Sequence, residues 1–432
     1  MGRITKGFGL VAVALVFVVS GFSRPAIGAG SSQTTLAVPG RSNATPSIAA
    51  DGNTVVVAWS ATLPNGSAAD VFAAVSRDGG RTFGAPSRVN DVDGDARVNG
   101  EQPPRVVLKD RAMIVVWVSK RNGVSGIRAA QSNDGGRTFS KTRTISPEGV
   151  TGARGWESAA IADDGTLHAA WLDGRSPGPP PPAAPATARQ TSAGDVDTAQ
   201  PKSAHHHHDG PMKQNIYHAM WKPGEAPVEV AVAEDVCFCC KTALVTRGSD
   251  VYVAWRHLFP GGVRDIAVAR SADGGRTFSA PARVSEDNWK IDACPDDGPA
   301  MAVDGDGAIR VVWPTLVQDA AGARMGIFQA VSRDGGRTFA PRERMDAGDA
   351  APAHPRLTDA AQGAAVVWDE LAGGTRRVML RAPGAAPIAL SRGRAASYPA
   401  IAATTSGFVV AFTDQLEGRS VVRALRVPAV RQ

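Results

Sequence analysis

Ser76-Arg77-Asp78-Gly79-Gly80-Arg81-Thr82-Phe83 is one of four nearly identical octapeptides; the others run from Ser132 to Phe139, Ser271 to Phe278 and Ser332 to Phe339. The shared pattern, Ser-x-Asp-x-Gly-x-Thr-aromatic, has a local physical meaning. The carboxylate of Asp78, Asp134, Asp273 or Asp334 accepts turn amides, the glycines supply positive φ, and the aromatic packs inward. Each octapeptide therefore reads as a clamp on a hairpin turn, not as a reactive site. One carboxylate per turn is too few for a calcium loop.

A fainter repeat lies upstream of the octapeptides, in which a polar turn leads into an apolar alternation that ends on an aromatic. Its anchors are Trp59, Trp117, Trp171, Trp255, Trp313, Trp368 and Phe412. Segments such as Val55-Val56-Val57-Ala58-Trp59 have the length and β-branched content of buried strands. Each unit then reads as four antiparallel strands. Such a unit cannot cover both of its faces alone, so several must pack radially with the aromatic between neighbours. Seven anchors give seven units, the last lacking a fourth strand after Val421 to Val427. The segment Thr34 to Val38 is expected to supply it and so to remove an open sheet edge. Residues 176–213, rich in Pro, Ala and small polar residues and carrying His205-His206-His207-His208, read as a disordered insertion after the second strand of the third unit.

The octapeptide is the Asp-box, and on its four copies the chain resembles the sialidase superfamily and its Asp-box (BNR) relatives over nearly all of residues 30–432. The resemblance implies an all-β, sialidase-like β-propeller of four-stranded antiparallel blades. Sialidases have six, against the seven units counted here. It also implies what catalysis would need: three arginines for a substrate carboxylate, a Tyr nucleophile assisted by a Glu, and an Asp acid/base. At the first arginine's place stands Ala44. Trp156-Glu157-Ser158, followed by Arg175, is similar to the family's glutamate segment with its later arginine, and Tyr398-Pro399 stands where a nucleophilic Tyr would. No acid Asp is identifiable. The plainer readings are a rim carboxylate for Glu157 and a packed aromatic for Tyr398.

Cys237-Phe238-Cys239-Cys240 and Cys294 are the only cysteines. Cys240 opens the fourth inner strand and Cys294 precedes the fifth, so both belong to connections between blades on one face. His205 to His208, His257 and His354 are expected on that face too. One reading is disulfide bonding, with Cys237 paired to Cys240 and Cys239 to Cys294, since adjacent cysteines pair only under strain. Another is a thiolate and imidazole site for copper or zinc. A third is a redox-active Cys237/Cys240 pair.

Of 432 residues, 43% are hydrophobic and 20% charged, which describes an ordered chain with a large core. The net charge of +6 is spread along the sequence with no basic arm, which argues against nucleic acid and leaves acidic sugars compatible. Residues 1–29 have the order of a signal peptide: Arg3 and Lys6, an apolar run from Phe8 to Phe22, then Ala26-Ile27-Gly28-Ala29. No membrane span is expected after cleavage, and the mature chain is expected to be periplasmic or secreted. Three functions stay open: a binding propeller for a glycan or metal on the blade-connection face, an exo-sialidase or related glycoside hydrolase, and a scaffold for an exported protein partner.

Overall fold

The computed structural model describes residue 2 and residues 32–428, except 65, 67, 98, 99, 111, 122, 123, 176–213, 292–294, 296, 320, 321, 349, 361, 362 and 392. Apart from residue 2, the segment read as a signal peptide, together with the insertion carrying His205, His206, His207 and His208, and Cys294, therefore lies outside the described residues.

Seven four-stranded antiparallel sheets make up the molecule, and among the described residues there is no helix. Blades 1 to 6 take successive strands over 42–88, 105–144, 154–236, 243–283, 300–344 and 351–389. Blade 7 takes Ala396–Thr404, Gly407–Leu416 and Arg419–Pro428, and its outermost strand is Ser32–Leu36. This strand pairs from Ser32 opposite Arg426 to Leu36 opposite Val422, two residues before the segment the sequence suggested. Seven, not six, is the blade number, and the ring closes by joining the two ends of the described chain.

The first strands of neighbouring blades touch one another in an unbroken cycle, from blade 1 round to blade 7 and back, so they line the central axis. Each second strand carries the aromatic anchor, packed against the preceding blade. Trp59 lies with Val409 and Val422 of blade 7, Trp117 with Val56 and Val71 of blade 1, and Phe412 with Val367 and Val378 of blade 6. The six Trp side chains are essentially without solvent contact. Every blade interface thus repeats one physical solution: a flat aromatic over β-branched neighbours, each burial worth a few kcal/mol.

In the Asp-boxes, the Ser76 hydroxyl donates to Asp78 Oδ1 at 2.7 Å, while the amides of Arg81 and Thr82 and the Thr82 hydroxyl also donate to that carboxylate. The other three boxes repeat the pattern on Asp134, Asp273 and Asp334. These donors hold all four carboxyls well below the usual carboxylate range. The second glycine has a further task. At Gly80, with φ of 85°, a Cβ would lie 2.4 Å from Val409 of blade 7, so the turn abuts its neighbour.

Candidate ligand site at the blade-connection face

Four first strands open on a bulge whose residue has positive φ: Thr45, Trp156, His354 and Tyr398. None is a glycine, and left-handed backbone at such residues is disfavoured. These bulges lie where the chain enters each blade, on the face opposite the Asp-boxes.

Around them gathers a buried ionic cluster drawn from several blades. His354 lies between two carboxylates, its Nε2 2.6 Å from Glu101 and its Nδ1 2.7 Å from Asp369. Burial opposes charge on the ring, but Asp369 and Glu101 outweigh it and push His354 up to about 10, so it is an imidazolium at neutral pH. Its amide donates to Asp297 Oδ2, and Asp297 is paired with Lys241. The Tyr398 amide donates to Asp369, which also pairs with Arg376. The Tyr398 ring lies 4.4 Å from that of His354 and close against Gly100, where a Cβ would meet the phenol.

Between blades 2 and 3 the cluster continues through Arg105, whose Nε donates to the Glu157 carbonyl at 2.8 Å, and through Gln102, whose Oε1 accepts from the Trp156 amide. Both Glu157 carboxylate oxygens, Arg105 Nη2, Gln102 Nε2 and Thr45 Oγ1 are buried without a partner among the described residues. Burial raises the Glu157 carboxyl to about 7 despite Arg105 nearby, and burial lowers Arg105 to about 9. Orphaned groups of this kind are met by water or by a ligand. The Arg97 guanidinium lies 5.8 Å over the half-buried Trp156 ring. Counting Arg97, Arg105, Lys241, His354, Arg356 and Arg376 against Glu101, Glu157, Asp297 and Asp369, cations predominate.

The sequence-derived residues divide. Tyr398 and Glu157 both belong to this axial cluster, but Glu157 is fully buried beneath its rim, not on it. Burial and the Glu101 and Asp369 carboxylates push the Tyr398 phenol upward, the reverse of nucleophile activation. Arg175 is held within its own blade, bidentate to Glu229 at 2.6 and 2.8 Å, paired with Asp173 and stacked 3.6 Å over Tyr217. His354 faces carboxylates, not sulfur. His257 accepts from Trp255 Nε1 and lies edge-on to Phe259. Sequence reasoning missed Glu101, Gln102, Arg105, Lys241, Asp297 and Asp369. Aligning the X-Pro blade entries, Thr45-Pro46, Gln102-Pro103, His354-Pro355 and Tyr398-Pro399, would have pointed to Gln102 and its neighbour Glu101, but to none of Lys241, Asp297 and Asp369.

Beside the cluster, the connection from blade 3 to blade 4 carries three sulfurs. Cys237 Sγ lies 3.7 Å from Cys240 Sγ and 4.0 Å from Cys239 Sγ, packed with Trp156 and Phe238. Cys237 and Cys240 are free thiols at hydrogen-bonding separation, so the bridge expected between them is not formed. Cys239 is disulfide-bonded. The Cys240 hydrogen bond, helped by Arg264 and Arg256 and opposed by burial, brings the Cys237 thiol down to about 6, while burial raises that of Cys240.

A cleft of about 840 Å³ opens on the Asp-box face between blades 3 and 4, beside the stacked and buried His168 and His218, whose ring nitrogens are 3.0 Å apart. Burial brings these two rings down to about 4 and about 3, so they are neutral packing elements at neutral pH.

No family model matches the chain, and no curated protein matches it. Among solved structures it is similar to a protein of unknown function from Dyadobacter fermentans, at 12% identity over 92% of this chain and 98% of that one, with a TM-score of 0.48. It is also similar to a mutant Trypanosoma rangeli sialidase displaying trans-sialidase activity, at 10% identity, 94% of this chain and TM-score 0.49. A Penicillium chrysogenum α-L-arabinanase has 10% identity over 91% of this chain and 98% of that one, with TM-score 0.46. This chain spans 60% of the length of the T. rangeli sialidase.

Proposed function

We propose that the chain is an exported, periplasmic or secreted, propeller that binds an acidic glycan at the axial mouth of its blade-connection face, without hydrolysing it. The observation that carries this reading is the set of buried polar atoms on Gln102, Arg105 and Glu157 that have no partner among the described residues, next to the half-buried ring of Trp156. Sugar recognition needs an aromatic face for the C–H surface and fixed donors and acceptors for hydroxyls, and these residues supply both. The excess of cations favours a carboxylate-bearing sugar. Against turnover stand Ala44 in the place of an arginine, the commitment of Arg175 to Glu229 and Asp173, and a Tyr398 phenol that its surroundings keep protonated.

Binding of the mature chain to sialylated and neutral oligosaccharides by titration calorimetry, alongside a fluorogenic sialoside assay, tests the proposal. Sialylated ligands are expected to bind, with affinity lost on Trp156→Ala or Gln102→Ala and with negligible turnover. Robust hydrolysis that disappears in Tyr398→Phe or Glu157→Gln would replace the binding reading with that of a glycoside hydrolase. Absence of binding to any acidic sugar would remove it.

A further inference from the structure

We infer that Cys237, Cys239 and Cys240 form a soft-metal site for Zn²⁺ or Cu⁺ that opens only when the disulfide on Cys239 is reduced. The three sulfurs all lie within 4.8 Å of one another, with Cys237 at 3.7 Å from Cys240 and 4.0 Å from Cys239. A tetrahedral thiolate site with metal–sulfur bonds of about 2.3 Å has sulfur–sulfur edges of about 3.8 Å. The sulfurs are therefore already near metal-ligating separation.

The loop is held from both sides before any metal arrives. The Cys237 amide donates to the Arg256 carbonyl of blade 4, Val236 bridges to His257, and the Thr242 amide donates to the Trp156 carbonyl of blade 3. All three cysteines are 3% exposed or less, so bound metal would be shielded from water. Arg264 Nη1 stands 3.7 Å from Cys237 Sγ, and positive charge there offsets that of a three-thiolate complex. Among the described residues no histidine or carboxylate joins the group. Three thiolates alone suit trigonal Cu⁺, and with an outside fourth ligand they suit Zn²⁺.

Because Cys239 is disulfide-bonded, its sulfur carries no thiolate charge and is a poor metal ligand. Reduction by a dithiol donor passes two electrons to the disulfide, turns it into two thiols, and leaves the donor as its own disulfide. Metal binding then displaces the protons of the three thiols. The oxidised protein keeps two neighbouring thiols and no complete site; the reduced protein has three.

The test uses the mature chain, prepared without a nickel column, as oxidised protein and after anaerobic dithiol reduction. Each form is equilibrated with Zn²⁺ or Cu⁺ against a competing chelator, and metal per chain and free thiols under denaturation are counted. The reduced form is expected to hold one metal per chain, with affinity lowered on the order of 100-fold or more by Cys240→Ser or Cys239→Ser, and the oxidised form to hold it far more weakly. The Zn²⁺ and Cu⁺ arms identify the cation. Deleting His205 to His208 should leave stoichiometry unchanged, and an unaltered melting temperature in Cys240→Ser would show that the fold survives. The inference is overturned if the reduced chain binds no stoichiometric metal, if binding survives both Cys→Ser changes, if it vanishes with the His tract, or if oxidised and reduced protein bind equally.

Discussion

Replacing Glu157 by Gln should make the propeller more stable at neutral pH, and by an amount that grows with pH. Glu157 is fully buried, neither of its carboxylate oxygens has a partner among the described residues, and burial raises its carboxyl to about 7 from the ordinary 4.5. For a carboxyl raised in the folded state, the native protein holds the proton more tightly than the unfolded chain. Stability is then greatest below pH 4.5 and falls as pH climbs to 7. The gap of roughly 2.5 pH units, at 1.36 kcal/mol per unit, corresponds to a loss of about 3 kcal/mol across that window. Gln has nearly the shape of the protonated acid and does not titrate. Urea denaturation of both proteins between pH 4 and 8 should give curves whose separation grows in favour of Glu157→Gln by about 3 kcal/mol, while other titrations cancel in the difference. A separation that stays flat with pH, or turns against Gln above pH 7, would refute the picture of an unpartnered buried carboxyl and point to a strong partner for its anion.

Other consequences are read in the same way. His354→Gln leaves Glu101 and Asp369 without their shared cation and should cost about 3–5 kcal/mol near pH 7 by chemical denaturation. Since His354 is raised to about 10 in the folded state, its contribution is complete below the unfolded value of 6.5 and fades as pH rises to 10, so the gap between wild type and variant should shrink over that range. Gly80→Ala adds a Cβ 2.4 Å from Val409 at a φ of 85° and should destabilise by about 1–3 kcal/mol, read as a lower melting temperature. Removing residues 32–36 strips Arg419–Pro428 of its outer partner and should lower the melting temperature sharply; a truncated chain that melted like the full one would mean closure does not rest on that strand.

The architecture was legible because it repeats. The Trp59, Trp117 and Trp171 series and the four Asp-boxes each mark the same step of one unit, and hydrophobic periodicity locates strands wherever neighbouring blades bury them. Even the weakest repeat, anchored on Phe412, and the joining of the two chain ends could be read, to within two residues. The site was legible only in part, since it is made where the repeat is broken. Glu101, Lys241, Asp297 and Asp369 are unremarkable charges in sequence, far apart and without a motif, and only closure of the ring sets them around His354. Arg175 misled for the complementary reason. It stood at a suggestive spacing after Glu157, but Glu229, from the last strand of its own blade, claims it.

The two unusual features of the connection face are physically joined, and that bears on both proposals. Lys241 follows Cys240 directly, pairs with Asp297 and so reaches the His354 amide; Thr242, one residue on, donates to the Trp156 carbonyl, and Trp156 itself packs on the three sulfurs. A change at the sulfurs that shifted the 237–240 loop would therefore move Trp156, the aromatic face assigned to the glycan, and Lys241, part of the cationic excess. Packed interiors transmit such shifts because they have little free volume to absorb them. Metal and glycan binding then become thermodynamically linked, each altering the affinity for the other by the same factor.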